Sequence, residues 1–316
     1  SKGKQGYNKN NSKPQGLARR LKTGQKKEVF IMGKQSKKIR RLLAENDYLI
    51  APCAYDALSA RAIQASGFSI AGTTGYGMHG VVLGQPDTGL LALNETVSIL
   101  SKMVDAVDIP ILADAEGGYG SALNVIRAVK EYEKTGVAGL FIEDQKQPPN
   151  CPFIKAPELI STDEMVGKIE AAVATREDPD MVIIARTDAP FEEAIERANA
   201  YMEAGADMVK ILPKSRQELE ALPPRVNGPI HLGLYANKGI NDGMTAADCG
   251  KLGYKIITFP VSCLFAQTAS LLSLLKHIKE NETDEGYGGE FMAFVDYLKF
   301  IGADYYKELV DKYLRV

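Results

Sequence analysis

The chain has 316 residues, of which 45% are hydrophobic and 25% are charged, and its formal net charge is −2. This composition is typical of a globular protein with a large core and argues against a disordered or fibrous chain. No apolar run approaches the roughly 20 residues that cross a membrane, and no secretory signal is apparent. The four cysteines are scattered without a C-x-x-C pair, which argues against disulfides or structural zinc and predicts a cytoplasmic location.

The N-terminal segment differs in composition from the rest of the chain. Residues 1–41 contain fourteen Lys or Arg and one Glu, a charge of +13, so the remainder carries −15. Such a polar, basic stretch is typical of a disordered or loosely attached arm. We expect residues 1–35 to be an arm of this kind or an appended extension, rather than a nucleic-acid tether. Residues 36–316 are expected to form a single domain.

From residue 48 onwards, short apolar runs alternate with longer segments of helical periodicity. The predicted strands cover residues 48–54, 69–74, 109–116, 138–144, 181–188, 207–213, 229–236 and 254–260. Eight strand–helix pairs over about 210 residues favour a (β/α)8 TIM barrel over an open doubly wound sheet. The last segment, 291–314, is predicted to be helical and to pack on the barrel or on another subunit.

Charged residues end three successive predicted strands. The residues in question are Asp114 and Glu116, Glu143 and Asp144, and Arg186 and Asp188. Acids two apart on a strand point the same way, and the C-terminal strand ends of a barrel meet at one mouth. An all-oxygen site without histidine favours Mg²⁺ or Mn²⁺, and the Arg186 fork suits a carboxylate or phosphonate. The alternative is that these acids are strand-end residues paired with surface lysines.

Four segments resemble signature segments of the isocitrate lyase and phosphoenolpyruvate mutase superfamily. They read GQPDTGLL, DAEGGYG, FIEDQ and IIARTDA, in the superfamily's order. The resemblance implies a (β/α)8 barrel with Mg²⁺ at its mouth, often a homotetramer built as a dimer of dimers that swap a C-terminal helix between subunits. It also implies a small 2-oxo acid or phosphonate substrate, and chemistry that passes through an enolpyruvate or related enolate to make or break C–C or P–C bonds.

The resemblance also implies roles for individual residues. Asp114 would bind the metal directly, whereas Glu116 and Glu143 would act mainly through water, with Glu116 departing from the usual Asp. Asp87 would gate the site. The implied substrate-binding residues are Thr74, Gly75, Tyr76, Asp114, Arg186 and Asn237. The residues that commonly follow Asn237 in the superfamily are missing here.

The segment after FIEDQ agrees least with the superfamily pattern. The C–C lyases resemble one another in a K-[KR]-C-G-H segment whose cysteine protonates a carbanion, whereas this chain reads PPNCPF at 148–153. Cys151 keeps the spacing but lacks the cationic neighbours that lower a thiol pKa. It is therefore either a catalytic general acid or an inert loop residue. Lys214 also differs from the pattern of these lyases, because lyases of the methylisocitrate type carry a glutamate at this position.

The preferred interpretation is a phosphonomutase of the carboxyvinyl-carboxyphosphonate phosphorylmutase type, which has no evident need for the loop's acid. A C–C lyase of the 2-methylisocitrate type is the alternative, favoured by Gln145, since phosphoenolpyruvate mutases usually carry lysine there. Oxaloacetate decarboxylation or hydrolysis would use the same enolate, and a third hypothesis is an inactive barrel that only binds a ligand.

A few other residues carry simpler expectations. Cys53 and Cys263 are expected in the core, and His231 is expected to be structural and away from the mouth. His79 follows the substrate loop and could reach the site, but a surface position is the favoured expectation. Tyr235 is expected to line the pocket.

Overall fold

The computed structural model describes residues 33–151, 154–235 and 243–314. The predicted basic arm therefore lies outside the described residues except for its last three positions. The chain divides into two compact units, Phe30–Gly289 and a second unit that contains the residues from Glu290 onwards. A single domain over 36–316 stays a prediction.

The first unit alternates helices and strands. In chain order its elements are α1 (Lys34–Glu45), β1 (Leu49–Ala54), α2 (Ala57–Ala65), β2 (Ala71–Thr73), α3 (Gly75–Leu83), α4 (Leu93–Ala106), β3 (Ile111–Asp114), α5 (Ala122–Thr135), β4 (Gly139–Glu143), α6 (Thr162–Thr175), β5 (Val182–Thr187), α7 (Phe191–Glu203), β6 (Met208–Ile211), α8 (Arg216–Ala221), a 3₁₀ turn (Pro223–Arg225), β7 (Ile230–Gly233), α9 (Ala246–Leu252), β8 (Tyr254–Phe259) and α10 (Ser262–Asn281). In the described part of the second unit are α11 (Phe294–Phe300) and α12 (Ala303–Tyr313).

The eight strands form a closed parallel barrel in the order β1 to β8, and β8 pairs with β1 to close it. Nearly all strand residues are buried, because each strand has the barrel interior on one face and helices on the other. The predicted (β/α)8 barrel is confirmed. No helix among the described residues is both long enough and apolar enough to span a membrane.

Local sequence signals explain where the helices begin and end. Helices α6, α8 and α9 begin after a hydroxyl side chain that accepts a hydrogen bond from a backbone N–H in the first turn; the residues are Ser161, Ser215 and Thr245. Helices α5 and α9 end at Gly136 and Gly253, whose left-handed backbone glycine adopts without steric cost.

The predicted C-terminal helical segment 291–314 is divided in the structure. Gly302, with a φ of 83°, separates α11 from α12. Both helices carry large apolar side chains that are exposed, among them Phe294, Val295, Tyr306 and Val310.

An apolar cluster fills the barrel interior on the N-terminal side of the strand ends. It includes Leu49, Ile70, Leu112, Val182, Ile184, Met208 and Ile256. These residues precede the polar strand-end residues along their own strands. Side chains therefore fill the barrel interior near the N-terminal ends of the strands. A cavity can form only towards the C-terminal ends.

Replacing Leu112 by alanine tests this packing. Leu112 is 0% exposed, and Leu112→Ala should lower the free energy of unfolding by about 2–5 kcal/mol because it leaves a cavity in a closely packed interior. Leu123→Ala, on the outer face of α5 at 77% exposure, is the matched control. Urea denaturation of both variants gives the comparison, and equal stability of the two would contradict the proposed packing.

Candidate active site

A cavity of about 360 Å³ opens at the C-terminal ends of the strands. Many of the polar residues predicted from the sequence line it: Thr74, Tyr76, Asp87, Asp114, Glu116, Glu143, Cys151, Arg186 and Tyr235. Gly75 lies against two of these carboxylates. Asn237 falls outside the described residues, so its predicted role stays a prediction.

Asp114 is positioned by the start of helix α3. Its Oδ2 accepts a hydrogen bond from the Gly75 N–H (3.1 Å) and its Oδ1 accepts one from the Glu116 N–H (3.0 Å). The positive end of a helix stabilises a nearby carboxylate. A Cβ atom at Gly75 would lie 2.7 Å from Glu116 Oε1 and 3.2 Å from Asp114 Oδ2. Only glycine at this position lets the helix begin directly against the acids.

Glu116 reaches the cavity by a different route from the predicted one. We expected it to end strand three, but β3 ends at Asp114 and Glu116 lies in the following turn with a φ of 51°. The turn is held from outside the barrel, because the Lys168 ammonium donates to the Gly117 carbonyl (3.0 Å) and the Tyr132 hydroxyl donates to the Asp114 carbonyl (2.7 Å). A turn, and not strand alternation, therefore brings the two acids together.

Glu143, at the end of β4, forms an ion pair with Arg186. The Glu143 Oε2 to Arg186 Nη1 distance is 2.9 Å, and Arg186 Nη2 lies 2.8 Å from Asp188 Oδ2. Burial raises the pKa of Glu143, whereas the Arg186 guanidinium opposes this shift and favours the ionised carboxylate of the pair. The guanidinium is thus oriented by two carboxylates before any substrate binds.

Asp144 does not belong to the mouth, contrary to expectation. It is fully buried and faces helix α7, where it accepts hydrogen bonds from the Tyr201 hydroxyl (2.8 Å) and from Arg197 Nη1 (3.2 Å). The reason is that neighbouring residues on a strand point to opposite faces. Glu143 faces the cavity, so Asp144 faces the helices.

His79 was expected at the surface, and this prediction was wrong, since its side chain is fully buried. Its Nε2 accepts hydrogen bonds from the N–H groups of Leu90 (3.1 Å) and Leu91 (3.2 Å). The proton must then be on Nδ1, which lies 2.8 Å from the Gly75 carbonyl and 3.3 Å from Asp87 Oδ1. Because both nitrogens are engaged, His79 anchors the Asp87 loop and has no lone pair to offer a metal.

The cavity residues fit a divalent cation. Asp114, Glu116, Glu143 and Asp87 all line it, and Arg186 shares its charge with Asp188. Burial and the neighbouring carboxylates, Asp114 first among them, raise the pKa of Glu116 well above its ordinary value. Hard oxygen donors with excess negative charge are the surroundings that Mg²⁺-like ions prefer, and a bound cation would remove the repulsion.

The loop that carries Cys151 closes one side of the cavity. Cys151 lines it and is 8% exposed. The Cys151 N–H donates to the Asp87 carbonyl (3.2 Å), and the Asn150 N–H donates to Gln145 Oε1 (2.8 Å). Gln145 in turn donates to Asp188 Oδ2 (2.8 Å). The loop is therefore tied to the strand ends; its next two residues, 152 and 153, lie outside the described part of the chain.

The floor of the cavity contains polar residues that the sequence reasoning overlooked. Lys210, on β6, lines the cavity, whereas Lys214, which the sequence singled out, is exposed and does not. Cys53 was expected in the core, where it is buried, and it also lines the cavity. His231 was expected away from the mouth, but it is buried and lines the floor of the cavity, so that expectation was wrong. The available signal was a single lysine inside the apolar run DMVKILP, where an aliphatic residue is the usual occupant.

A closed (β/α)8 barrel with a carboxylate-lined cavity at its C-terminal strand ends defines an enzyme of the barrel class. The family described as phosphoenolpyruvate phosphomutase matches residues 39–279. The chain belongs to this family, within the phosphoenolpyruvate mutase and isocitrate lyase superfamily, and it is an enzyme.

Individual relatives agree with this assignment over most of the chain. The chain is 37% identical to the 2,3-dimethylmalate lyase of Eubacterium barkeri, over 87% of this chain and 97% of that protein. It is 34% identical to the chloroplastic carboxyvinyl-carboxyphosphonate phosphorylmutase of Arabidopsis thaliana, over 87% and 84%. The crystal structure of phosphoenolpyruvate phosphomutase from Streptomyces platensis subsp. rosaceus superimposes with a TM-score of 0.83 at 27% identity, over 89% of this chain and 99% of that one.

Gly75→Ala tests the contact between helix α3 and the acids. The added methyl group would displace the carboxylates of Glu116 and Asp114, so Mg²⁺ or Mn²⁺ should bind at least about tenfold more weakly in isothermal titration calorimetry. Gly80→Ala on the same helix is the control, since its Cβ would meet only Leu264 Cδ2, at 3.9 Å. Unchanged metal affinity in Gly75→Ala would rule out the proposed metal position.

Proposed function

We propose that this protein is a Mg²⁺-dependent lyase that cleaves a C–C bond of a small 2-hydroxy acid and releases a 2-oxo acid such as pyruvate. The observation that carries the proposal is the position of Cys151. Cys151 lines the same cavity as Asp114, Glu143 and Arg186. A lyase needs a proton donor there, and a rearrangement of a P–C bond does not.

The proposed reaction balances without an oxidant or a reductant. The substrate hydroxyl loses its proton, the adjacent C–C bond breaks, and a C=O bond forms on the 2-oxo acid product. The electron pair of the broken bond moves to the carbon of the leaving fragment, which takes a proton from the Cys151 thiol. The thiolate then regains the proton that the hydroxyl released.

The acids around the cavity would hold the metal. Asp114 would bind it directly, and Glu116 and Glu143 would act mainly through water. When bound, a divalent cation supplies Lewis-acid stabilisation of negative charge on an oxygen of the substrate. Mn²⁺ could replace Mg²⁺, because both accept an all-oxygen donor set.

Residues around the cavity would bind and orient the substrate. The start of helix α3, at Thr74, Gly75 and Tyr76, would receive a carboxylate at its positive end. Arg186, already oriented by Glu143 and Asp188, would stabilise an anionic oxygen of the reacting group. Asp87 would gate the site, since its carbonyl accepts from the Cys151 N–H and so connects the two loops. Asn237 is proposed as a further carboxylate ligand.

A second candidate is the phosphorylmutase reaction preferred from the sequence. It is favoured by the sequence around Cys151, which reads Pro-Asn-Cys-Pro and provides no cation to activate the thiol. The Arabidopsis phosphorylmutase is also a relative at 34% identity. Against this stand the 37% identity to 2,3-dimethylmalate lyase and Gln145. Oxaloacetate decarboxylation or hydrolysis would use the same residues.

Assembly as a homotetramer, a dimer of dimers, is part of the proposal. Helix α10 exposes a row of large apolar residues, Leu271, Leu272, Leu275 and Ile278, and contiguous apolar surface favours association. A cytoplasmic location is proposed from the cysteine usage.

The first experiment measures the products. Purified protein is incubated with 2,3-dimethylmalate and 2-methylisocitrate, and pyruvate is followed with lactate dehydrogenase, in Mg²⁺ and then in EDTA. We expect EDTA-sensitive release from at least one substrate. If neither substrate is cleaved while ³¹P NMR detects conversion of a carboxyphosphonate, the mutase is the correct assignment.

Cys151→Ala should lower kcat by about 10²–10⁴-fold, as removal of a general acid does, with little change in KM. The matched control is Cys249→Ala, which removes a buried thiol on α9 that does not line the cavity. Steady-state kinetics give kcat and KM of both variants for comparison with the wild type. Wild-type turnover by Cys151→Ala would exclude Cys151 as the proton donor.

Asp114→Asn should lower activity more than about 100-fold, because it removes the charge of the proposed direct metal ligand. Circular dichroism serves to establish that the variant is folded. A folded Asp114→Asn variant with undiminished EDTA-sensitive activity would refute the metal assignment.

A further inference from the structure

Lys210 places a positive charge at the floor of the cavity, and none of the cavity's carboxylates among the described residues forms an ion pair with it. The residue lies on β6, between Arg186 of β5 and His231 of β7 in the barrel register, and it is 8% exposed. Its Nζ lies 4.1 Å from the centroid of the Phe141 ring. Within residues 33–151, 154–235 and 243–314, no carboxylate lies within ion-pair distance of it.

The nearby acids are already engaged. Glu143 and Asp188 both pair with Arg186, and Asp114 accepts from the Gly75 and Glu116 N–H groups. Burial, with help from Arg186, lowers the pKa of Lys210 to about 8, so the ammonium form still predominates at pH 7. A buried cation is unfavourable unless it is paired, and one aromatic face compensates for only part of that.

The neighbouring histidine does not supply a second charge. The Thr258 hydroxyl donates to the Leu232 carbonyl (3.1 Å), so it must accept from His231 Nε2, 3.0 Å away. Nδ1 of His231 is then an unprotonated acceptor, and it has no hydrogen-bond partner in the described part of the chain. Burial, followed by the charge of Lys210, keeps the pKa of His231 well below its ordinary value. Of these two floor residues, Lys210 and not His231 carries the positive charge.

An aliphatic residue at position 210 would pack against Phe141 without this penalty. A charge kept at such a cost in a cavity indicates that a bound anion pairs with it. We propose that Lys210 is a specificity-determining residue that binds the second acidic group of the substrate. The substrate then carries at least two acidic groups, with one at the Asp114–α3 end of the cavity and another on Lys210.

This inference rests on the proposed function and narrows its substrate class to small acids with at least two anionic groups. The second group is a carboxylate or a phosphonate, which share the anionic oxygens that an ammonium binds. A monocarboxylic 2-oxo acid would leave Lys210 uncompensated and would bind more weakly.

Lys210→Met, which keeps the length and removes the charge, tests the inference. Calorimetry with Mg²⁺ compares pyruvate, with one acidic group, with 3,3-difluorooxaloacetate and phosphonopyruvate, with two. We expect affinity for at least one dianion to fall about tenfold or more, while affinity for pyruvate changes less than about twofold. The dianion that loses more identifies the carboxylate or the phosphonate as the natural group.

A thermal unfolding measurement on the ligand-free variant gives an independent result. Removing an unpaired buried charge should raise the unfolding temperature of Lys210→Met, whereas removing a purely structural lysine would lower it. Lys214→Met, at an exposed lysine four residues further along, is the control and should change neither measurement.

The outcomes separate the two proposals. If the wild type binds the probes with Mg²⁺ but Lys210→Met weakens all three equally, or none, the role of Lys210 is overturned and the proposed function stands. If the wild type binds none of the three probes, the proposed function fails, and the inference fails with it.

Discussion

Electrostatic repulsion among four carboxyl groups at one barrel mouth is the constraint on which the site depends. Asp114, Glu116, Glu143 and Asp87 line one cavity, and unscreened like charges in a low-dielectric site repel strongly. The surrounding structure restrains three of them directly. A helix N-terminus faces Asp114, an arginine pairs with Glu143, and a buried histidine holds the loop of Asp87. The acids are thereby held in place, which favours binding of a cation over collapse of the cavity.

The sequence predicted the barrel because its signal is local and repeated eight times. Hydrophobic runs separated by amphipathic segments predict strands and helices one by one, and the closed barrel follows from their number. The acids of the site were predicted for the same reason, because the end of an apolar run in the sequence marks the end of a strand. Asp114, Glu143 and Arg186 all end or nearly end their strands.

The predictions from the sequence were wrong where the position of a side chain depends on contacts with other parts of the fold. Asp144 follows Glu143 but faces α7, because one position along a strand reverses the face. Glu116 was placed on a strand, although its left-handed backbone puts it in a turn. His79 is buried because two backbone N–H groups some eleven residues later converge on its ring. Lys210 was overlooked because a lysine in an apolar run shows its position only once the barrel closes around it.

Gln145 connects two parts of the site. It accepts from the Asn150 N–H in the Cys151 loop, and it donates to the Asp188 carboxylate that orients Arg186. One side chain therefore ties the loop that carries Cys151 to the carboxylate that orients Arg186. A substitution at Gln145 would remove a hydrogen bond from both at once, although Gln145 itself need not touch a substrate.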